Sequence, residues 1–394
     1  NDPYMLLQKI PRQNFESIEN IILKLGINVS EEKKLVAASR HALMKSEIER
    51  GNTCGPSEKV ILRVQEMTNT GIDKIAEAIN SASHLFHKFS LNGKHFIETK
   101  EAKERDLEIV KHLTRISSNF KVIEGKKFTA NKNVKQPLSD EQVETIQNSL
   151  GSPVSIITGG PGTGKTRIIE GLAQVLVKKF EKKIRICAPT GRAAKRISEN
   201  PSLQIFKPST IHMLIATIES SSGVSDIDAL IVDESSMIDI NLFSDLVKLV
   251  PDGAQLILIG DVDQLPPVGP GQPFLDLIRS KKIVVSRLTQ QFRQGKMSNI
   301  STVAKAVNRG EVIDYSSDLN SSDFIFMDVE KKDVVQEIIK IIDQFTENGK
   351  DKVDLEKTQI LSPMRRFPAG LINLNAILQK KYNHKPKQQI IQKS

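Results

Sequence analysis

The sequence contains no tryptophan and only two cysteines, and none of its apolar runs is long enough to cross a membrane. Cys54 and Cys187 lie far apart and form no paired spacing of metal ligands, so we do not expect a zinc site. We recognise no secretory leader, and the scarcity of cysteine fits a reducing compartment, so we expect a cytoplasmic chain without a membrane partner. Because the chain begins at Asn1 rather than Met, we expect it to be part of a longer protein.

The charge balance is basic, with a formal net charge of +9 at pH 7. The 39% apolar and 26% charged fractions are typical of a soluble globular protein. At roughly 150 residues per domain, the 394 residues predict two or three domains. The positive charge favours an anionic partner, nucleic acid first, although abundant lysine also promotes solubility.

One stretch fits the phosphate-binding loop pattern with every fixed position filled. Its residues are Gly159, Gly160, Pro161, Gly162, Thr163, Gly164, Lys165 and Thr166. An apolar, β-branched run at residues 154–158 precedes it and predicts a buried parallel strand, and an amphipathic helix is predicted after it. The alternative, a glycine-rich loop with no ligand, has little weight in this context.

The residue types in the loop suit a nucleotide phosphate. Glycines let successive backbone N–H groups turn inward around an anion, and the following helix N-terminus adds a favourable dipole. We expect Lys165 to reach the β- and γ-phosphates of ATP. The hydroxyl of Thr166 is expected to ligate the Mg²⁺ that bridges them.

Gln142 has two interpretations. With Ser139 three residues before it, Gln142 forms the sequence pattern of a helix capping box. Its amide also offers a donor and an acceptor to an adenine edge. Both interpretations can hold together, and we keep both as predictions.

Three further strands are predicted, at Ile184–Ala188, Ala229–Val232 and residues 255–259, with helical stretches between them. This alternation indicates a parallel α/β sheet, and ligands of such sheets gather at the carboxyl ends of the strands.

Acidic and amide side chains follow two of these strands. Asp233 is placed to bind Mg²⁺, Glu234 to orient or deprotonate an attacking water, and Gln264 to touch that water or the γ-phosphate. A solvated acidic strand end and a rigid proline turn are the structural alternatives. Farther along the chain, Arg293 is a candidate to clamp the transferred phosphate.

With these motifs in order, the chain resembles the RecD-like superfamily 1B DNA helicases, most closely the stand-alone RecD2 and TraA-type group. The motif residues quoted above carry the resemblance, together with the segment 189–196, Thr210-Ile211-His212 and Pro363-Met364-Arg365-Arg366. It implies two RecA-like motor domains that hydrolyse ATP and move along single-stranded DNA, typically 5′ to 3′, in DNA repair or recombination.

By the same resemblance, Gln264 and Arg293 sense the γ-phosphate, and a further set of residues lines the DNA path. That set is Pro189, Thr190, Arg192, Thr210 and His212. Without tryptophan, any stacking on DNA bases falls to Phe, Tyr, His or Arg. The sequence leaves the protein partners open.

The predicted fold class is α/β, a RecA-like P-loop NTPase. The predicted regions are a helical amino-terminal domain at 1–122, a linker at 123–137, motor domain 1A at 138–286 and a partial motor domain 2A at 287–394. Nothing resembling the last two helicase motifs precedes Ser394, so we expect the full motor to need further chain. An ATP-switched DNA-binding module and the helicase portion of a conjugative relaxase stay open as alternatives.

Overall fold

The computed structural model describes residues 3–9, 14–121, 137–220, 226–290, 292, 299–313, 323–347 and 358–382. Packing divides the chain into a first unit, Asn1–Gly295, and a second unit, Lys296–Ser394. The predicted linker at 123–137 lies outside the described residues except for Pro137, and Arg293 lies outside them as well.

The amino-terminal region of the first unit combines helices with one small sheet. Its helices are α1 (Leu6–Lys9), α2 (Phe15–Lys24), α3 (Glu31–Arg50), α4 (Ser57–Thr68), α5 (Ile72–Ser81) and α6 (Lys100–Ser118). Its strands pair antiparallel in the order β1-β3-β2, and they are β1 (Gly55–Pro56), β2 (Phe86–Leu91) and β3 (Lys94–Thr99).

The hairpin of β2 and β3 differs from the purely helical prediction for residues 1–122. Asn92 and Gly93 form its turn, with φ of 49° and 73°, in the left-handed region that Asn and Gly tolerate best. Asn-Gly between two short runs is a strong local signal for a hairpin. The sequence therefore carried a local signal for this hairpin, within a region whose apolar spacing favours helices.

A parallel sheet forms the rest of the first unit. In chain order its strands are β4 (Val154–Gly159), β5 (Ile184–Ala188), β6 (Ser209–Thr210), β7 (Ala229–Val232), β8 (Gln255–Gly260) and β9 (Val284–Leu288). They lie side by side in the order β6-β5-β7-β8-β4-β9, and every pairing is parallel. The four predicted strands are confirmed, and β6 and β9 extend the sheet at its two edges.

Helices cover both faces of this sheet. They are α7 (Asp140–Leu150), α8 (Lys165–Phe180), α9 (Gly191–Ser198), α10 (Pro201–Gln204), α11 (Ile211–Ser220), α12 (Ile240–Leu249) and α13 (Pro273–Ser280). One apolar core lies on each face, so β4, β7 and β8 are apolar on both sides, as expected for central parallel strands.

Helix α6 joins the amino-terminal region to the motor sheet. Ile109 and Ile116 of α6 are buried in the same core as α12. The guanidinium of Arg115 donates to Val250 O at 2.7 Å, at the carboxyl end of α12, and pairs with Asp252. Apolar burial and these charged hydrogen bonds hold the two parts of the first unit together.

The second unit contains α14 (Asn299–Arg309), α15 (Val334–Glu347) and α16 (Leu371–Tyr382). The hydroxyl of Tyr382 donates to Asp343 at 2.8 Å, which joins α16 to α15. The apolar runs at 324–327 and 359–361 do not form strands in the structure.

Among the helices of the described residues, none is both long and apolar enough to cross a membrane. The assignment of residues 287–394 to a partial second motor domain stays a prediction.

Candidate functional site

The predicted phosphate loop connects the end of β4 to the start of α8. Gly162 and Gly164 have φ of 78° and 83°, a left-handed conformation that a residue with a Cβ rarely adopts. Thr163 Oγ1 donates to Gly160 O at 2.9 Å and closes the loop on itself. The loop therefore curls in front of the α8 N-terminus, where unpaired backbone N–H groups attract an anion.

Lys165 occupies the inside of this loop. Its Nζ donates to Gly159 O at 2.5 Å and to Gly160 O at 3.2 Å. The loop carbonyls thus hold the ammonium group next to the space where an anion would bind. A bound phosphate would offer this ammonium group a negatively charged acceptor, which makes stronger hydrogen bonds than a neutral carbonyl.

Gln142 connects α7 to the loop. The predicted capping box is confirmed, because Gln142 N donates to Ser139 Oγ at 3.2 Å and Ser139 N donates to Gln142 Oε1 at 3.1 Å. Gln142 Nε2 also donates to Thr163 O at 3.2 Å, and a Cβ on Gly164 would collide with this amide. The amide keeps one N–H and one lone pair for another partner. Adenine recognition by Gln142 stays a prediction.

Asp233 and Glu234 follow β7 and border the same space as the loop. Glu234 N donates to Asp233 Oδ1 at 2.9 Å. Glu234 has a φ of 51°, a conformation that is strained for a long side chain and that often marks functional sites. Its Oε2 is buried and has no hydrogen-bond partner in the described part of the chain. A buried carboxylate oxygen without a hydrogen-bond partner is costly unless a water or a cation binds to it.

The setting of Asp233 raises the pKa of its carboxyl group to about 6. Burial is the main cause, followed by the negative charge of Glu234. The N–H of Glu234 and the positive charges of Lys165 and Arg196 act in the opposite direction.

The Asp233 carboxylate and the Thr166 hydroxyl are both oxygen ligands of the kind that Mg²⁺ prefers, and with the unpartnered Glu234 oxygen they fit this ion.

Gln264 lies on the loop that follows β8. Its N donates to Asp261 O at 3.3 Å, which forms a turn just beyond the strand. The far end of this loop is held by two backbone bonds of 2.8 Å, from Ile240 N to Pro270 O and from Gly271 N to Gly51 O. The amino-terminal region therefore anchors the loop that carries Gln264.

A cavity of about 630 Å³ unites these groups. The predicted residues that border it are Gln142, Gly160, Pro161, Gly162, Thr163, Gly164, Lys165, Thr166, Asp233, Glu234 and Gln264. Four others that the sequence reading did not assign also border it, namely Pro137, Arg167, Arg196 and Phe292. The volume is that of a small-molecule site rather than a single phosphate.

Two of the unassigned residues had local signals. Phe292 N donates to Gly162 O at 2.8 Å, and Phe292 is directly next to the predicted Arg293. Arg196 is the last basic residue of the segment after β5, one helical turn beyond Arg192. Neither signal says which basic or aromatic residue faces the cavity, because that depends on how the strands are ordered.

Thr190 and Thr210 come from neighbouring strands. Thr210 pairs with Ala188 in the β5–β6 ladder, so both hydroxyls lie at the same edge of the sheet. Thr190 Oγ1 accepts from Ala193 N and Thr210 Oγ1 accepts from Met213 N, each at 3.2 Å. Both therefore cap helices, and their hydroxyl hydrogens remain available to a phosphate. Pro189 is half-buried and Arg192 is exposed at this edge.

His212 lies on the exposed side of α11, in a groove of about 380 Å³ that Glu219, Asp239 and Asp245 also border. Three carboxylates on the same groove disfavour a phosphate there. The DNA contact of His212 stays a prediction, and the surroundings of His212 support such a contact less than those of Thr190 do.

Within the described residues, no group of three or more His, Cys, Asp or Glu could hold a metal ion.

Comparisons with known proteins agree with this geometry. Residues 137–327 match the family described as AAA domain. Over 258 residues the chain is 31% identical to the ATP-dependent RecD2 DNA helicase of Deinococcus radiodurans. This aligned region covers 64% of this chain and 34% of that protein. Over 164 residues it is 37% identical to the RecBCD enzyme subunit RecD of Haemophilus influenzae, covering 35% of this chain and 26% of that subunit.

A solved structure, the Pif1 helicase from Candida albicans, is similar over 52% of this chain and 54% of its own, with a TM-score of 0.36 and 22% identity. A parallel sheet with a phosphate loop after β4 and an Asp-Glu pair after β7 defines a RecA-like P-loop domain. Over part of its length the chain is similar to RecD and RecD2 helicases. It spans about a third or less of the length of the two curated relatives named above.

Proposed function

We propose that this chain is the ATP-hydrolysing motor of a DNA helicase that moves along single-stranded DNA in the 5′ to 3′ direction. One observation carries the proposal: a single cavity joins the phosphate loop, the Asp233–Glu234 pair and Gln264. Relatives that are described as an ATP-dependent DNA helicase and as a RecBCD subunit support it.

In this proposal the loop binds the triphosphate of ATP. Lys165 exchanges its bonds with the loop carbonyls for the β- and γ-phosphates. Thr166 and Asp233 would hold Mg²⁺, which supplies positive charge between those phosphates when it is bound. The loop amides and the α8 N-terminus stabilise the remaining negative charge.

Glu234 acts as the base that orients the attacking water and accepts its proton. The buried and unpartnered Oε2 supports this role, because it has an unused lone pair beside the cavity. Gln264 contacts the water or the γ-phosphate, and Arg293 clamps the transferred phosphoryl group. Gln142 and the exposed ring of Phe292 face the base of the nucleotide.

The DNA backbone runs over the carboxyl edge of β5 and β6. Pro189, Thr190, Arg192, Thr210 and His212 line this path, where hydroxyl, backbone and basic groups hold phosphates without reading sequence. Residues 1–122, 138–286 and 287–394 serve as the amino-terminal domain and the two motor domains, with 123–137 as a linker. The setting we propose is DNA repair or recombination in the cytoplasm.

The direct test is ATP hydrolysis by Lys165→Ala, with Lys178→Ala as a matched control. Lys178 lies in the exposed last turn of the same helix and does not border the cavity. We expect Lys165→Ala to abolish hydrolysis that single-stranded DNA stimulates, and Lys178→Ala to keep it. Hydrolysis that survives Lys165→Ala at the wild-type rate would refute the proposal. ATP binding without DNA-stimulated turnover in the wild type would favour an ATP-switched DNA-binding module.

A further inference from the structure

Helix α9 borders two sites at once. Its first turn begins at the Thr190 cap, on the edge that we assign to DNA, and Arg196 in its last turn borders the nucleotide cavity. At 1.5 Å per residue, Thr190 and Arg196 are separated by roughly 9 Å along the helix axis. No other helix after β5 places a basic side chain in the cavity among the described residues.

The order of the strands tells which end of the cavity Arg196 faces. Strand β5, which precedes α9, is the neighbour of β7, which carries Asp233 and Glu234. Gln142 and Phe292 approach from the opposite side, where α7 and the segment after β9 meet the loop. Arg196 therefore enters at the end of the cavity that holds the Asp-Glu pair, beside the terminal phosphate of a bound ATP.

The chemistry of Arg196 suits that position. In the described part of the chain, its guanidinium makes no hydrogen bond and no ion pair, although it is exposed next to two carboxylates. A planar guanidinium forms paired hydrogen bonds with phosphate oxygens, and an arginine supplied to the γ-phosphate stabilises the charge that develops during transfer. ADP has no γ-phosphate, so this interaction distinguishes ATP from ADP.

We propose that Arg196 binds the γ-phosphate of ATP and that α9 links this contact to DNA. The proposal rests on the function proposed above. Arg192 and Arg196 are four residues apart and lie on the same helical face. Helix α9 is a single eight-residue helix, so a shift of its first turn on DNA binding would also move its last turn. Because binding energies are reciprocal, DNA should strengthen ATP binding and ATP should strengthen DNA binding.

The test uses equilibrium binding of Mg-ATP and Mg-ADP to the full chain, with and without a deoxythymidine oligonucleotide. The variants are Arg196→Ala and Arg196→Lys, with Lys195→Ala as the control, because Lys195 is exposed on α9 but does not border the cavity. Arg196→Ala should weaken ATP roughly 10- to 100-fold, as expected for a hydrogen bond to a charged group, and leave ADP nearly unchanged. The oligonucleotide should no longer strengthen ATP binding.

Arg196→Lys should recover part of the ATP affinity, because it keeps the charge but loses the planar fork. If Arg196→Ala loses affinity for ATP and for ADP equally, or binds ATP as tightly as Lys195→Ala does, the γ-phosphate contact is overturned. If the oligonucleotide strengthens ATP binding to Arg196→Ala as much as to the wild type, the link through α9 is overturned. ATP hydrolysis by Lys165→Ala, measured in parallel, separates the two proposals. Hydrolysis by this variant at the wild-type rate would refute the proposed function, whereas normal ATP binding by Arg196→Ala beside a Lys165→Ala protein that no longer hydrolyses ATP would remove only this inference.

Discussion

Asp233→Asn should stabilise the free protein while removing a ligand that we assign to the metal. The carboxyl group of Asp233 has its pKa raised from 3.8 to about 6, first by burial and then by Glu234. The folded chain therefore holds this proton more tightly than the unfolded chain does. As pH rises from about 4 to about 6, the free energy of unfolding falls. Above that range, the loss of stability caused by the charged Asp233 carboxylate stays constant.

A pKa difference of about two units corresponds to about 3 kcal/mol at pH 7.5 and to about half of that at pH 5. Asparagine keeps the shape of the side chain and the oxygen that accepts from Glu234 N, but carries no charge. In EDTA and without nucleotide, we therefore expect Asp233→Asn to be more stable than the wild type by up to about 3 kcal/mol at pH 7.5. The advantage should shrink at pH 5.

Urea unfolding followed by circular dichroism measures this difference, since the chain has no tryptophan for fluorescence. Asp263→Asn is the control, because Asp263 is an exposed carboxylate on the loop after the neighbouring strand. Mg-ATP should reverse the order by stabilising the wild type more than the variant. An Asp233→Asn protein that is less stable at pH 7.5, or whose advantage does not change with pH, would refute the reasoning.

Three other predictions follow from the same geometry. Glu234→Gln should bind ATP normally and hydrolyse it at least about 100-fold more slowly, and a loss of ATP affinity with normal turnover would contradict the role of the base. Gly164→Ala should lower the urea midpoint of unfolding without nucleotide, because Gly164 has a positive φ and an added Cβ would collide with the Gln142 amide. Gly160→Ala is the control, because the space around Gly160 is open, and equal midpoints for the two variants would contradict the prediction. DNA affinity should fall steeply with salt, and Arg192→Ala should reduce the logarithmic salt slope by about 0.7, whereas an affinity that salt does not change would oppose a backbone contact.

Much of the motor sheet could be predicted from the sequence. Strands β5 and β7 begin and end where their apolar runs predict, because a central parallel strand is buried on both faces and reads as a continuous apolar run. Strand β9 was missed because it lies at the sheet edge, where Val284 and Arg287 are exposed and break that run. The Asn92-Gly93 hairpin was missed although its turn carried a local signal.

The site divides in the same way. By itself, the sequence determined the phosphate loop, the Asp233–Glu234 pair and the capping box of Gln142, because each depends on residues within a few positions of one another. The tertiary structure decided that Arg196 and Phe292 border the same cavity as the phosphate loop and that three carboxylates share a groove with His212. These neighbours come from segments far apart in the chain, and they meet because the strands pack in the order β6-β5-β7-β8-β4-β9, which no local pattern of residues encodes.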